Sequence, residues 1–432
     1  MLALLGGQAG GATVNWVGAD DSFWDLSTNW LPAALPGVLD DVLLGASRSV
    51  LRSGSFNLNT LAGTGQLTLS GGSLGLAAAS SIGVLDMRNG TLQGAGSLVA
   101  SGASGWSGGT MSGSGSTTFN GSLALGGSGG RALVQRTVNL AGTTTWTNTA
   151  NGTGYFQTGS SARLSNSGSF NDQLAFNSSI SNDFGGAQSI FANAGSYTKT
   201  GAGTTSINIG FDNSGALAVN SGQLNLGGGG NSSGGSLAVA AGATLNFSGG
   251  THNLANVGTG AGTGRVTVSG GTVNASGTLD LAGTLGASGG TFNANGAATA
   301  AGFEMSNGTI GGTGSLVTSG NGVWTGGTMN GSGSTTLGGT LALSGSSNRA
   351  VVGRSVTFSG DTTWTNTAAN TGVFQMGSGA VLTNSGSFTD ALAFNADIGN
   401  AFGGAASRFV NTGSYTKTGA GTTSINIGFD NS

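Results

Sequence analysis

GSYTKTGAGTTSINIGFDNS, residues 195–214, recurs letter for letter at residues 413–432. Working outward from that stretch, the match extends without a gap over residues 87–214 and 305–432, at a constant offset of 218. About two-thirds of the paired positions are identical, far beyond what shared Gly, Ser and Thr richness supplies. A self-match of this length marks a chain built by repetition. It favours an array of stacked units over a single globular enzyme domain.

The composition agrees with an array that has a thin core. Of 432 residues, 89 are Gly, 2 are Pro and none is Cys, and charged residues make up only 6%, against about 25% in ordinary soluble proteins. Gly- and Ser-rich chains are often disordered. Here the net charge of −3 is too small to hold the chain open, and the 37% apolar residues fall in short regular bursts. The absence of Cys excludes a disulfide framework and zinc ribbons. A pI near 4.9 gives no basic footprint for nucleic acid. No apolar run approaches the roughly 20 residues of a membrane-spanning helix.

Helix signals are nearly missing, because Gly recurs too often and no 3.6-residue period develops. Strand signals are short and everywhere: QLTL at 66–69, SLVA at 97–100, SLAL at 122–125, ALAV at 216–219, QLNL at 223–226, RVTV at 265–268 and TLDL at 278–281. Each alternates apolar with small or polar residues, the pattern of a strand with one buried face. Asn-containing turns at Asn139, Asn166, Asn193 and Asn213 are spaced 27, 27 and 20 residues apart. That spacing is one coil of a parallel β-helix, with three short strands and three turns. Residues 51–432 then predict roughly 14–19 coils in a rod. Leu, Val, Ile and Phe would stack inward, and Asn would stack at equivalent turn positions.

Two segments stand apart. Residues 1–12 (MLALLGGQAGGA) carry the short apolar run and Gly-rich exit of a secretion-signal remnant, without a basic segment. Residues 13–50 hold both prolines, Trp16, Trp24, Trp30 and five of the fifteen acids. They are expected to form an N-terminal cap over the first coil, because an open strand edge templates aggregation. Residues 211–214 run on into GALAVNSGQLNL, whereas the second copy stops at Ser432. The repeat is therefore expected to belong to something longer.

Chemistry-bearing residues are sparse. The charges kept between the copies are Asp172/Asp390, Asp212/Asp430, Arg131/Arg349, Arg136/Arg354 and Lys199/Lys417, whereas Asp183, Arg163 and Tyr155 are replaced by Ala401, Val381 and Val373. The kept set reads mainly as solvated turn charges, with a repeated carbohydrate site as the sharper alternative. The pairs Asp20–Asp21 and Asp40–Asp41 read as Asx turns rather than calcium ligands, because adjacent strand residues face opposite ways. His252 is the only histidine, so it is expected in a turn and not in a triad or metal site. No metal or cofactor is expected. Trp106, Trp146, Trp324 and Trp364 are the candidate ligand contacts. They would either stack on sugar rings at the coil surface or plug the core where a coil widens.

Residues 106–115 (WSGGTMSGSG), 136–146 (RTVNLAGTTTW) and 191–226 resemble the repeats of large bacterial surface and secreted proteins, the filamentous-haemagglutinin-like and autotransporter-passenger-like adhesins. Residues 14–42, with their W-x-G, W, NW, P and DD elements, resemble the segment that opens such passengers. The resemblance implies an all-β, right-handed parallel β-helix (β-solenoid) exposed outside a bacterial cell, either secreted or on its surface. No Asn-Pro-Asn secretion motif and no membrane barrel accompany it, so it leaves the export route open. The function expected is a non-enzymatic structural or adhesive rod, with glycans, host or neighbouring-cell surfaces, or copies of itself as partners. The alternatives are a β-helical carbohydrate-active enzyme or binding module and a self-assembling fibre or sheath.

Overall fold

The computed structural model describes residues 11–260 and 262–432. The expected secretion-signal remnant lies, up to residue 10, outside the described residues. The chain divides into two compact units, Met1–Gly210 and Phe211–Ser432. Both are parallel β-solenoids, with about 19 turns in all. Among the described residues the one helical element is a single turn, Ser27–Asn29.

In the first unit each strand except Trp30–Leu31 pairs with the strand three places further on, so the coils build three parallel ladders. Gln66–Leu69, Val84–Met87 and Ser104–Trp106 belong to one ladder. The strands have the two-residue alternation read from the sequence, with Leu67 and Leu69 turned inward and fully buried. A buried Leu contributes about 2 kcal/mol, and coils of this length supply several such residues per turn. Coil length varies more than the turn spacing suggests. Gln66 pairs with Val84, a step of 18, whereas Arg163 pairs with Ile190, a step of 27. The widest coils lie where the aromatics concentrate.

One inward column changes from apolar to charged as the coils succeed one another. Leu69, Met87 and Trp106 follow on successive coils, and then Leu125, Trp146, Asp172 and Lys199. All are buried. The second unit repeats the column as Met305, Trp324, Leu343, Trp364, Asp390 and Lys417.

Glycine marks a corner between two ladders. A Cβ on Gly121 would lie 2.3 Å from the Gly102 carbonyl oxygen, one on Gly142 would lie 2.1 Å from that of Gly121, and the contact continues through Gly168 and Gly195 at 2.1 Å each. Only a residue without a side chain lets the backbone stack so closely. The second unit has the same column at Gly339, Gly360, Gly386 and Gly413.

The asparagine stack is present with one correction. Asn166 pairs in register with Asn193 and donates to its Oδ1 at 2.6 Å, and Asn384 does the same to Asn411 at 2.7 Å. These are buried strand ends, not exposed turn tips. Asn139 stands one residue out of line, because its register partner is Ser165 and Leu140 faces Asn166. The second unit adds an outward ladder, in which Asn253, Asn274 and Asn293 each donate at 2.9 Å to the Asn of the preceding coil, starting from Asn231. In the same unit the expected strand at 278–281 is part of the long strand Thr272–Ala287, where a register shift between Leu281 and Thr284 replaces a turn.

Residues 13–50 are stitched into the solenoid. Thr13–Trp16 pairs antiparallel with Trp30–Leu31 and parallel with Asp41–Gly45, which in turn pairs with Thr60–Gly63. Trp16, Trp24 and Trp30 are buried as a cluster, with ring centroids 4.8 to 6.3 Å apart.

Candidate functional site

The four candidate tryptophans are not surface residues. Trp106, Trp146, Trp324 and Trp364 are all 0% exposed, so of the two placements expected for them, sugar stacking at the coil surface or a plug in the core, the structure has the plug. All four fill the core, Trp146 and Trp364 where the step to the next coil lengthens to 26 residues. Trp106 and Trp146 meet Phe156 edge-on at 5.3 and 5.6 Å, and Trp324 and Trp364 meet Phe374 at 5.6 and 5.4 Å.

The kept charges are also mostly inside, against the expectation of solvated turns. Arg131 is fully buried beside Phe156 and donates to the carbonyl oxygens of Trp106 (2.5 Å), Gly126 (2.5 Å) and Gly154 (2.7 Å). The Gly154 oxygen also accepts from Trp146 Nε1 at 2.8 Å. Arg136 reaches across three coils, from Gly94 and Gly96 through Ser112 and Ser116, with its Nε on Thr117 Oγ1 at 2.9 Å. Arg349 and Arg354 repeat both arrangements. Burial pulls each of the four guanidiniums down to about 10, so each stays charged at neutral pH. A charged donor satisfies inward-turned carbonyls that water does not reach.

Asp172 forms the centre of a second buried group. Its Oδ2 accepts from Tyr197 Oη at 2.8 Å and Thr205 Oγ1 at 2.5 Å, and its Oδ1 accepts from the Leu174 backbone N–H at 3.2 Å. Lys199 Nζ donates to Thr205 Oγ1 at 3.0 Å and lies 3.6 Å from Asp172 Oδ2, and both charged side chains are 0% exposed. Burial lowers the Lys199 pKa against the opposing pull of Asp172. Burial and then Asp172 hold the Tyr197 phenol well above its usual range. Asp390, Tyr415, Lys417 and Thr423 form the equivalent group, with Lys417 37% exposed.

Of the kept set, Asp212, Lys417 and Asp430 lie near solvent; Asp430 pairs with Arg408 at 3.4 Å. In the N-terminal segment Asp20 and Asp21 face Arg48, Asp40 accepts from the backbone N–H groups of Ala12 and Gly37, and Asp41 accepts from Asn59 and Thr60. Among the described residues no group of three or more His, Asp or Glu could hold a metal ion. His252 is a buried strand residue rather than a turn residue. Its Nε2 lies 3.0 Å from the Gly249 oxygen and its ring lies edge-on to Phe247, and burial lowers its pKa.

The exposed aromatics are phenylalanines that the sequence reading passed over. Phe176 and Phe184 are 41% and 51% exposed, and Phe394 and Phe402 are 46% and 51% exposed. Each pair flanks one strand, Ser178–Ser181 or Ala396–Gly399. Their turns are pinned. Asn148, itself buried, donates to the Phe176 carbonyl at 3.0 Å and accepts its N–H at 3.1 Å, and Asn366 holds Phe394 in the same way. Phe184 lies against Gly159 and Phe402 against Gly377, where an added Cβ would come within 2.6 and 2.5 Å of the ring-bearing carbon. The signal was present in the sequence: LAFN recurs at 174–177 and 392–395, and N-x-F-G-G at 182–186 and 400–404. Phe stands directly before Asn in the first motif and between Asn and Gly in the second.

Each unit also has a shallow surface groove. In the first unit a groove of about 510 Å³ runs across five coils, past Gln66, Asp86, Gly105, Ala124 and Thr145. In the second unit a groove of about 270 Å³ is lined by Arg265, Glu304, Met305 and Val323. Arg265 and Glu304 pair at 2.5 Å within it.

No protein-family model matches the chain, and neither a curated protein nor a solved structure matches it. The class rests on the fold: the chain is a parallel β-solenoid protein. Among the described residues no helix is long and apolar enough to cross a membrane.

Proposed function

We propose that this solenoid is a non-enzymatic structural and adhesive module of a bacterial secreted or surface protein, working outside the cell. The observation that carries the reading is the pair of exposed, pinned phenylalanines preserved in both copies. The four residues leave 41–51% of their surface to water, and aromatic faces on rigid turns are suited to stacking on sugars or seating on another protein. Two equivalent copies on one chain would add avidity.

A carbohydrate-directed role has the grooves in its favour. As enzyme sites they are poorly equipped. Glycoside hydrolysis draws on two carboxylates, whereas each groove lining carries one, Asp86 or Glu304, and Arg265 engages the latter. The grooves therefore support glycan binding over cleavage.

The test is a glycan array and a cell-adhesion assay with the purified chain and a Phe176→Ser/Phe184→Ser/Phe394→Ser/Phe402→Ser variant. The variant should lose most binding, at least about tenfold, at unchanged circular dichroism. Equal binding by both chains removes the phenylalanines from the site. Depolymerisation of a bound polysaccharide would replace adhesion with catalysis.

A further inference from the structure

The Asp172 group is more elaborate than a solenoid core requires. An inward Leu would serve at either rung, yet successive rungs carry an acid and an amine, each fully buried, and a hydroxyl joins them. The same four residue types recur at Asp390, Tyr415, Lys417 and Thr423, although other charges in the repeat were exchanged for Ala or Val. In the first copy the lysine hydrogen-bonds the threonine, and its nitrogen stands beside the carboxylate at 3.6 Å.

We propose that Asp172 and Lys199, and separately Asp390 and Lys417, condense to amide crosslinks that join successive coils covalently. In the first copy Lys199 Nζ–H donates to Thr205 Oγ1, and Thr205 O–H donates to Asp172 Oδ2. A proton passed along this line turns ammonium and carboxylate into amine and carboxylic acid. The amine lone pair then attacks Cγ and forms the C–N bond. Negative charge gathers on Oδ1, which the Leu174 N–H holds. The C–Oδ2 bond breaks, and Oδ2 leaves as water with one proton from the relay and one from nitrogen. Tyr197 donates to that oxygen throughout. The balance is one ammonium and one carboxylate giving one amide and one water, with no oxidant or external reagent. Burial supports the step by lowering the Lys199 pKa and by keeping out the water that would reverse it. In the second copy Lys417 Nζ donates directly to Asp390 Oδ1 at 3.3 Å, with Thr423 and Tyr415 on Oδ2.

The full chain, denatured and weighed intact by mass spectrometry, should fall below its sequence mass by about 36 Da, or by about 18 Da if one copy reacts. Digestion should yield a branched peptide joining residue 172 to 199 or residue 390 to 417, with no tryptic cleavage after the linked lysine. Thr205→Val should abolish the first crosslink and leave the second as an internal control. The sequence mass without loss, or a water loss that maps to any other pair of residues, overturns the proposal. The wild-type measurement decides this even if the variant fails to fold.

Discussion

At the scale of single residues, the unusual feature is how much charge this weakly charged chain buries. Arg131, Arg136, Asp172 and Lys199 are all 0% exposed in the first unit. Each is matched to polar groups, without which burial would cost several kcal/mol. The tyrosines give a measurable consequence. In the fold Tyr197 and Tyr415 keep their protons above the ordinary phenol range, because burial and a neighbouring aspartate disfavour phenolate. Above about pH 10 the unfolded chain releases protons that the folded chain retains, so the stability these groups contribute is complete below that pH and declines above it. The four arginines act with the opposite sign, so the clean readout is spectroscopic. In an alkaline titration the tyrosinate absorbance of two of the three tyrosines should rise together with the loss of the strand circular dichroism signal. Full ionisation before unfolding would show that the phenols are not enclosed.

At the scale of the coil, geometry is set by where the chain turns. The glycine column ties one corner of every wide coil to the carbonyl oxygen beneath it, and that contact has no room for a Cβ. Gly142→Val should therefore cost about 3 kcal/mol, read as a shift in chemical denaturation. Gly152 is a useful contrast. It has a φ of +68°, and a methyl group placed on its Cα would meet nothing within 4 Å. Gly152→Ala therefore bears only the strain of its backbone conformation, about 1 kcal/mol. Equal costs at the two sites would argue that the stacked corner is not tight. The alternation that identified the strands also held the facing of the buried pair. In SFND and SYTK, Asp172 shares a face with Phe170, and Lys199 shares one with Tyr197. Reading both charges as turn residues set aside a pattern that pointed inward.

At the scale of the whole molecule, stability rests on ladders, aromatic plugs and buried hydrogen bonds rather than on surface charge. Among the described residues half of the ion pairs, including Arg48–Asp21 and Arg265–Glu304, join groups that are both about half exposed, where such pairs contribute about 0–1 kcal/mol. The thermal midpoint should therefore move by less than about 3 °C between about 0.05 M and about 0.5 M salt. A larger fall would give the surface pairs a structural part.

The sequence by itself determined that the chain is repeated, that it is built of short strands with almost no helix, and that its coils take roughly 20–27 residues where the asparagines mark them. These are local properties: alternation, glycine frequency and spacing can be read a few residues at a time. Only the tertiary structure decided what the conserved positions do. Trp106 and Trp146 are plugs, Phe176 and Phe184 are the exposed rings, and Asp172 meets Tyr197, Lys199 and Thr205. The physical reason is register. Residues up to 42 apart become neighbours only when coils of unequal length stack one above another, and the width of each coil settles whether a side chain fills the core or stands in solvent.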